Sequence, residues 1–337
     1  MNGGGKLNLS RFPRTPLLEG PTPIQYLARL SKALGGVRIF VKRDDLNGLG
    51  GGGNKLRKLE FLLGEASALD ADTIITIGAR QSNHARLTAA AAARTGLACE
   101  LVLSRMVKRY DDDYLHNGNI ILDGLLGARV HDLAPDADTL VFAQERAATL
   151  QGQGHKVYFC PMAGSSPIGC LGYANAAAEI LEQAAALGIE FDAIVAPNGS
   201  GGTQAGLVAG FSALGAASPS VVTYTVLKEA EQTRVATASL ADQTAKLLDP
   251  ALNIDSSAIT VEAGELGEGY GIPTEGMIRA VRLVASTEGL LLDPVYGGKA
   301  FSGLLHGIES GKYKAGQAIL FIMTGGMPGI FAYRSIF

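Results

Sequence analysis

Lys55 stands in GGGGNKLRKLEF (Gly50–Phe61), where a glycine-rich turn delivers a lysine to the start of a charged, amphipathic helix. A lysine amine attacks an aldehyde to form a Schiff base only when it is deprotonated and rigidly held. A structured, partly desolvated turn meets both conditions. The same stretch also reads as a plain surface helix start with three basic residues, and Arg57 and Lys58 are assigned to that reading. Further along, GARQSNHARLTAAAA (Gly78–Ala92) sets Ser82, Asn83 and His84 at a strand-to-helix junction. Free N–H groups and the helix dipole attract a carboxylate or phosphate at such a place, although Ser82 serves equally well as a helix cap. PNGSGGTQAG (Pro197–Gly206) has the small residues of a phosphate cradle, in which the amides of Ser200, Gly201, Gly202 and Thr203 can wrap phosphate oxygens. It lacks the Gly-Lys-Ser/Thr ending of a nucleotide loop and is not GxGxxG, and a turn that binds nothing remains the alternative.

These stretches need a scaffold that brings them together. Apolar, β-rich runs at Arg38–Lys42, Thr73–Ile77, Glu100–Leu103, Val157–Cys160, Ala193–Ala196, Val221–Val226 and Ala318–Met323 predict strands. Between them Lys55–Ser67, Asn83–Thr95, Leu171–Leu187, Thr203–Leu214 and Glu275–Thr287 carry helical spacing of apolar positions. Alternation of helices with short, continuously apolar strands predicts an α/β fold of parallel-rich sheets flanked by helices. Ligand loops in such folds lie at the carboxyl ends of strands, which is where GARQSN, PNGSGGTQ and TGGMPG fall.

The 44 glycines cluster at GLGGGGNK, GSGGTQAG, GEGYG, VYGGK and TGGMPG, as expected where backbone approaches a ligand or turns tightly. With 337 residues the chain can build two domains or one large one, and no linker or repeat marks a boundary. A hydrophobic fraction of 47%, a charged fraction of 18% and a net charge of −3 describe a globular protein without the basic stripe of a nucleic-acid binder. No apolar run approaches the roughly 18 residues of a membrane span. The N-terminal MNGGGKLNLSRFPRTP has no secretory apolar core. Cys99, Cys160 and Cys170 lack metal-ligand spacing and read as buried, reduced thiols in a cytoplasm, with no metal expected.

Taken in order, the lysine before a helix, QSNH, GSGGTQAG, LLDPVYGGK and TGGMPGIFAY resemble the D-cysteine desulfhydrase and 1-aminocyclopropane-1-carboxylate deaminase family, from SRFPRTPL to the terminus. The resemblance implies the two-domain tryptophan-synthase-β-like fold (fold type II) with pyridoxal 5'-phosphate as cofactor. Residues 1–55 plus 163–337 would form the large, cofactor-binding domain and residues 56–162 the small one. It further implies a small amino-acid substrate and a homodimer. Lys55 takes the place of the Schiff-base lysine, Asn83 that of a contact beside the ring, and Ser200, Gly201, Gly202 and Thr203 that of the phosphate cup. Ser82, Asn83 and His84 correspond to the hold on the substrate α-carboxylate, and Tyr270 and Tyr296 to two active-site tyrosines.

One position departs from the deaminases, which carry a glutamate beside the pyridine nitrogen where this chain has Gly297. Thr324 then becomes the expected neighbour of that nitrogen. A hydroxyl sustains the ring as an electron sink poorly, which suits β-elimination, where a thiolate carries electrons away, better than cyclopropane opening. The expected activity is therefore β-elimination from a small β-substituted amino acid, foremost D-cysteine, giving pyruvate, ammonia and hydrogen sulfide. The alternatives are the deaminase, a cysteate sulfo-lyase, and a catalytically silent binding protein on the same fold, against which an intact Lys55 argues. Arg80, two residues before Ser82, reads either as a contact for a distal anion such as a sulfonate or as a structural arginine.

Overall fold

The computed structural model describes residues 7–216 and 219–337, so the first six residues of the expected large domain and of the N-terminal segment lie outside it. Ten strands are present among the described residues: β1 (Ile24–Tyr26), β2 (Arg38–Lys42), β3 (Thr73–Ala79), β4 (Ala98–Ser104), β5 (Arg129–Leu133), β6 (Val157–Cys160), β7 (Ala193–Asn198), β8 (Ser220–Thr225), β9 (Thr260–Glu262) and β10 (Ala318–Ile322). The helices are α1 (Ala28–Ala33), α2 (Lys55–Ala68), α3 (Asn83–Thr95), α4 (Asp112–His116), α5 (Asn119–Leu125), α6 (Thr139–Gly152), α7 (Pro167–Leu187), α8 (Gly202–Ala213), α9 (Ala230–Leu248), α10 (Glu275–Glu288) and α11 (Gly297–Glu309).

Two sheets organise the chain, one in the order β1-β2-β10-β7-β8-β9 and the other β5-β4-β3-β6. Every pairing is parallel except β1 with β2, as the continuously apolar strands require. The larger sheet is covered on both faces. Ile39, Val195 and Phe321 face Leu30, Met277, Val284 and Leu304, whereas Phe40, Ile194 and Leu320 face Tyr173, Ile180, Leu207 and Phe211. In the smaller sheet Ile74, Leu101 and Leu103 pack under α2 and α3, and Ile75 and Val102 under α6.

All seven anticipated strands and all five anticipated helices are present, with modest boundary changes. The helix expected from Leu171 begins four residues earlier, because Pro167 fits the first helical position and Ser166 caps it by accepting from Gly169 N–H. Among the four edge strands β6 is a continuous apolar run, whereas β1, β5 and β9 carry none and were not anticipated. RVHDL in β5, for example, sets Arg129, His131 and Asp132 around Val130 and before Leu133.

Helix α2 corrects the surface reading of Arg57 and Lys58. Both are 1% exposed. Arg57 pairs with Asp44 and Glu179, and Glu179 also takes Lys42. Glu60, on the same helix, is capped by Arg14 and by the N–H groups of Leu17 and Leu18. A helix buried over most of its length carries Arg57 and Glu60 because each meets an opposite charge, as far as 122 residues away, whereas Lys58 meets only a hydroxyl and a carbonyl.

Candidate active site

The lysine turn is shaped by backbone that only glycine tolerates. Gly52 has φ +77°, and a Cβ there would stand 2.1 Å from the Asp45 carbonyl oxygen. Asn54 N–H donates to the Thr324 carbonyl at 3.0 Å, which ties the turn to the end of β10. Lys55 is thereby fixed as the first residue of α2, half-buried, with its Nζ making no hydrogen bond among the described residues. Burial, and secondly the charge of Lys58, holds this amine well below the ordinary lysine pKa of 10.5, with Asp293 opposing them. An unpartnered and readily deprotonated amine is what nucleophilic chemistry requires.

A cradle stands beside it. Asn198 Oδ1 accepts from Gly201 N–H at 2.9 Å and shapes the loop that leads into α8. The first N–H groups of α8 have no acceptor within the helix. At Gly202 a Cβ would come within 2.5 Å of both Lys58 Nζ and Ser165 Oγ. Ser165 Oγ lies 2.7 Å from Ser200 Oγ and accepts from Lys58 Nζ at 3.0 Å, while Asn54 Nδ2 donates to Thr203 Oγ1 at 3.3 Å. Desolvation lowers Lys58 to about 8, so a buried ammonium faces the cradle with only a hydroxyl and a carbonyl for company. Free amides, hydroxyls, a missing side chain and an underpaired cation together fit a phosphate.

At the amino end of α3, Ser82 Oγ accepts from Ala85 N–H at 3.1 Å, so the residue does cap the helix, and it also lines the cavity. Asn83 Oδ1 accepts from Asn119 Nδ2 at 3.0 Å, which leaves its own amide N–H groups directed elsewhere. His84 is 3% exposed, with Nε2 lying 3.0 Å from Thr76 Oγ1. Burial, then the neighbouring Lys55 and Lys58, keeps its imidazole neutral. Arg80 takes the structural one of its two readings. It ion-pairs with Asp132, its Nε donates to the Leu115 carbonyl at 3.0 Å, and it does not line the cavity.

The hydroxyls of Tyr270 and Tyr296 share a hydrogen bond of 2.6 Å, on rings 5.9 Å apart. Behind them Asp293 accepts from Val295, Tyr296 and Gly297 N–H groups at 3.1, 2.9 and 2.6 Å. Burial outweighs these bonds and pushes its carboxyl up to about 6. Thr324 follows β10 into the cavity, and its hydroxyl makes no hydrogen bond among the described residues.

Lys55, Ser82, Asn83, His84, Ser200, Gly201, Gly202, Thr203, Tyr270, Tyr296 and Thr324 all line one cavity of about 180 Å³ at the carboxyl ends of β3, β7, β8 and β10. Sequence reasoning passed over Asn54, Lys58, Ser165 and Asp293. Lys58 was recoverable, since it stands one helical turn after Lys55 on the same face. Asp293 sat inside a motif already singled out, whereas nothing local distinguishes Ser165.

Comparison with known proteins places this geometry. A family model described as pyridoxal-phosphate dependent enzyme matches residues 15–325. A protein named putative 1-aminocyclopropane-1-carboxylate deaminase from Pyrococcus abyssi is 44% identical, over 96% of this chain and 95% of its own length. A D-cysteine desulfhydrase from Klebsiella pneumoniae is 42% identical, over 97% and 98%. A solved structure described as an ACC deaminase homologue superposes with a TM-score of 0.86 at 39% identity, covering 97% of this chain and 96% of that one. A solved threonine deaminase, with a TM-score of 0.61 at 21% identity over 91% and 92%, shares the fold. The chain belongs to the pyridoxal-phosphate dependent enzymes, among relatives named as desulfhydrases and deaminases.

Proposed function

We propose that this enzyme is a β-elimination lyase acting on a small β-substituted amino acid, foremost D-cysteine, with pyruvate, ammonia and hydrogen sulfide as products. The observation that carries the reading is that, among the described residues, no carboxylate lines the cavity wall where Thr324 stands. Position 297 is glycine, and Asp293, engaged by three backbone N–H groups, does not line the cavity.

When bound, pyridoxal phosphate supplies the electron sink for charge that develops at the substrate α-carbon. The amides of Ser200, Gly201, Gly202 and Thr203, with Lys58 and Ser165, would hold the phosphate. Lys55 would hold the cofactor, and its amine is placed to move the α-proton. Its lowered pKa keeps that amine able to accept. Ser82, Asn83 and the backbone N–H of His84 hold the α-carboxylate at the start of α3, where the helix dipole favours an anion. The His84 imidazole, committed to Thr76, contributes no charge. The hydrogen-bonded Tyr270 and Tyr296 pair orients the β-substituent and relays a proton to or from it.

The two sheets support a small domain of residues 56–162, which holds β3 to β6, and a large one of residues 1–55 plus 163–337. A cytoplasmic homodimer belongs to the same proposal, and light scattering of the purified protein tests the dimer. The deaminase is the second reading, because relatives carry both names. An assay of the holoenzyme on D- and L-cysteine, cysteate, 3-chloroalanine and aminocyclopropane carboxylate separates them. Pyruvate from cysteine with little 2-oxobutyrate is expected. Efficient 2-oxobutyrate formation would refute the elimination reading.

A further inference from the structure

Among the described residues, the cavity wall contains two lysines, Lys55 and Lys228, and no carboxylate. Lys55 has a role in the chemistry above; Lys228 has none. It lies just beyond β8, exposed at the rim, and its Nζ makes no ion pair or hydrogen bond among the described residues. Its neighbour Leu227 borders Gly199: a Cβ on Gly199 would lie 4.0 Å from Leu227 Cβ and 3.3 Å from Tyr296 Cε1. Residues 227 and 228 therefore continue the wall that bears the tyrosine pair. The phosphate has its cup, the α-carboxylate has the start of α3, and the amine is drawn to the Lys55 end. What remains for the β-substituent is Met106, Met162, Leu227, the two tyrosines and Lys228. A cation without an ion-pair partner among the described residues, at the mouth of a carboxylate-free cavity, gives that wall a positive potential.

We propose that Lys228 is a specificity-determining residue that favours amino acids whose β-substituent is already anionic in the bound substrate, as a sulfonate or a thiolate is. The inference rests on the elimination reading and names its substrate class. In that reaction the α-proton passes to the base and the carbon–sulfur electron pair departs with sulfur, as hydrosulfide from cysteine or sulfite from cysteate. Water then hydrolyses the released 2-aminoacrylate to pyruvate and ammonia. No oxidant or reductant is needed. The chlorine of 3-chloroalanine is uncharged until the bond breaks, so 3-chloroalanine is the reference substrate.

The test compares holoenzyme and the Lys228→Met and Lys228→Gln variants on cysteate, cysteine and 3-chloroalanine, with bound cofactor measured for each. The ratio of kcat/KM for cysteate to that for 3-chloroalanine should fall about tenfold, the range of one charge-assisted hydrogen bond. The cysteine ratio should fall in the same direction, and cofactor content should stay at the wild-type level. Equal losses on all three substrates, or cofactor loss in the variants, would overturn the proposal, the latter by placing Lys228 on the phosphate. Wild-type protein that makes pyruvate from none of them refutes the elimination reading instead. Lys228 is then judged by titrating the cofactor's visible band with cysteate and with alanine. A preference for cysteate lost in Lys228→Met sustains the proposal, and unchanged affinities overturn it.

Discussion

Replacing Lys58 by methionine should weaken cofactor binding and stabilise the apoprotein. Lys58 is fully buried against the cradle, donating to Ser165 Oγ at 3.0 Å and to the Ala163 carbonyl at 3.3 Å. A bond from its ammonium to a phosphate oxygen is worth roughly 1.5–3 kcal/mol, so the cofactor Kd should rise by about 10- to 150-fold. In the apoprotein the same ammonium is a liability. The fall from 10.5 to about 8 corresponds to roughly 3 kcal/mol of penalty on the charged form at pH 7. Loss of two modest hydrogen bonds offsets part of this, leaving a net gain of about 1–2 kcal/mol for the variant. The pH dependence carries a matching sign. Because the folded pKa is depressed, the native state binds fewer protons than the unfolded chain between about pH 8 and 10.5, and wild-type apoprotein stability should rise across that window. Wild-type cofactor affinity should fall above about pH 8, since the amine must be protonated to meet the phosphate. Lys58→Met should flatten both trends. Denaturant titration of apoprotein and titration with pyridoxal phosphate measure the two quantities. A less stable apoprotein with unchanged cofactor affinity would refute the assignment of Lys58 to the cup.

Lys55→Ala should abolish the cofactor's yellow absorbance band and turnover while circular dichroism stays native; activity in that variant would remove Lys55 from the mechanism. Ser82→Ala should cost about 1 kcal/mol of stability as a lost cap. It should also raise the substrate KM by about tenfold or more if the hydroxyl binds the α-carboxylate, and a stability loss with unchanged KM would reduce Ser82 to a cap. Arg80→Ala should destabilise the fold by about 1–3 kcal/mol, because Asp132 and the Leu115 carbonyl lose a buried partner. Its effect on cysteate and 3-chloroalanine turnover should be equal, and a selective loss on cysteate would restore its reading as an anion contact.

The strands of the two sheets were legible because buried parallel strands are written as continuous apolar runs, as in IIT within β3 or AILFI in β10. Of the four edge strands only the apolar β6 was, since an edge strand such as β5 needs only pairing with β4 and tolerates arginine, histidine and aspartate. The site followed the same division. Glycine clusters and helix starts advertise where backbone must approach a ligand, and each such motif lines the cavity. The charges of α2 were misread for a reason that no local pattern repairs. Arg57, Lys58 and Glu60 look like a solvated helix face until Asp44, Glu179, Ser165 and Arg14 are brought to them by the fold. Charged residues are buried rarely and only in company, so a sequence window without the company points the wrong way.

The same logic bears on reaction type. Asp293 supplies a buried carboxylate four residues before Gly297, and at neutral pH a group with a pKa of about 6 is mostly ionised. Its oxygens are nonetheless taken up by Val295, Tyr296 and Gly297, the N–H groups that lead into α11. A Cβ at Gly297 would sit 3.1 Å from Asp293 Oδ1, so a longer acid at that position would bring a second negative charge against the first. Glycine there removes that repulsion, and among the described residues Thr324 lines a cavity that holds no carboxylate. A hydroxyl does not sustain positive charge on a nearby nitrogen as a carboxylate does. The electron demand of the reaction therefore shifts toward the group that leaves. Sulfur meets that demand more readily than a cyclopropane carbon does, and the proposed elimination rests on this difference, with Gly297 and the engaged Asp293 as its support.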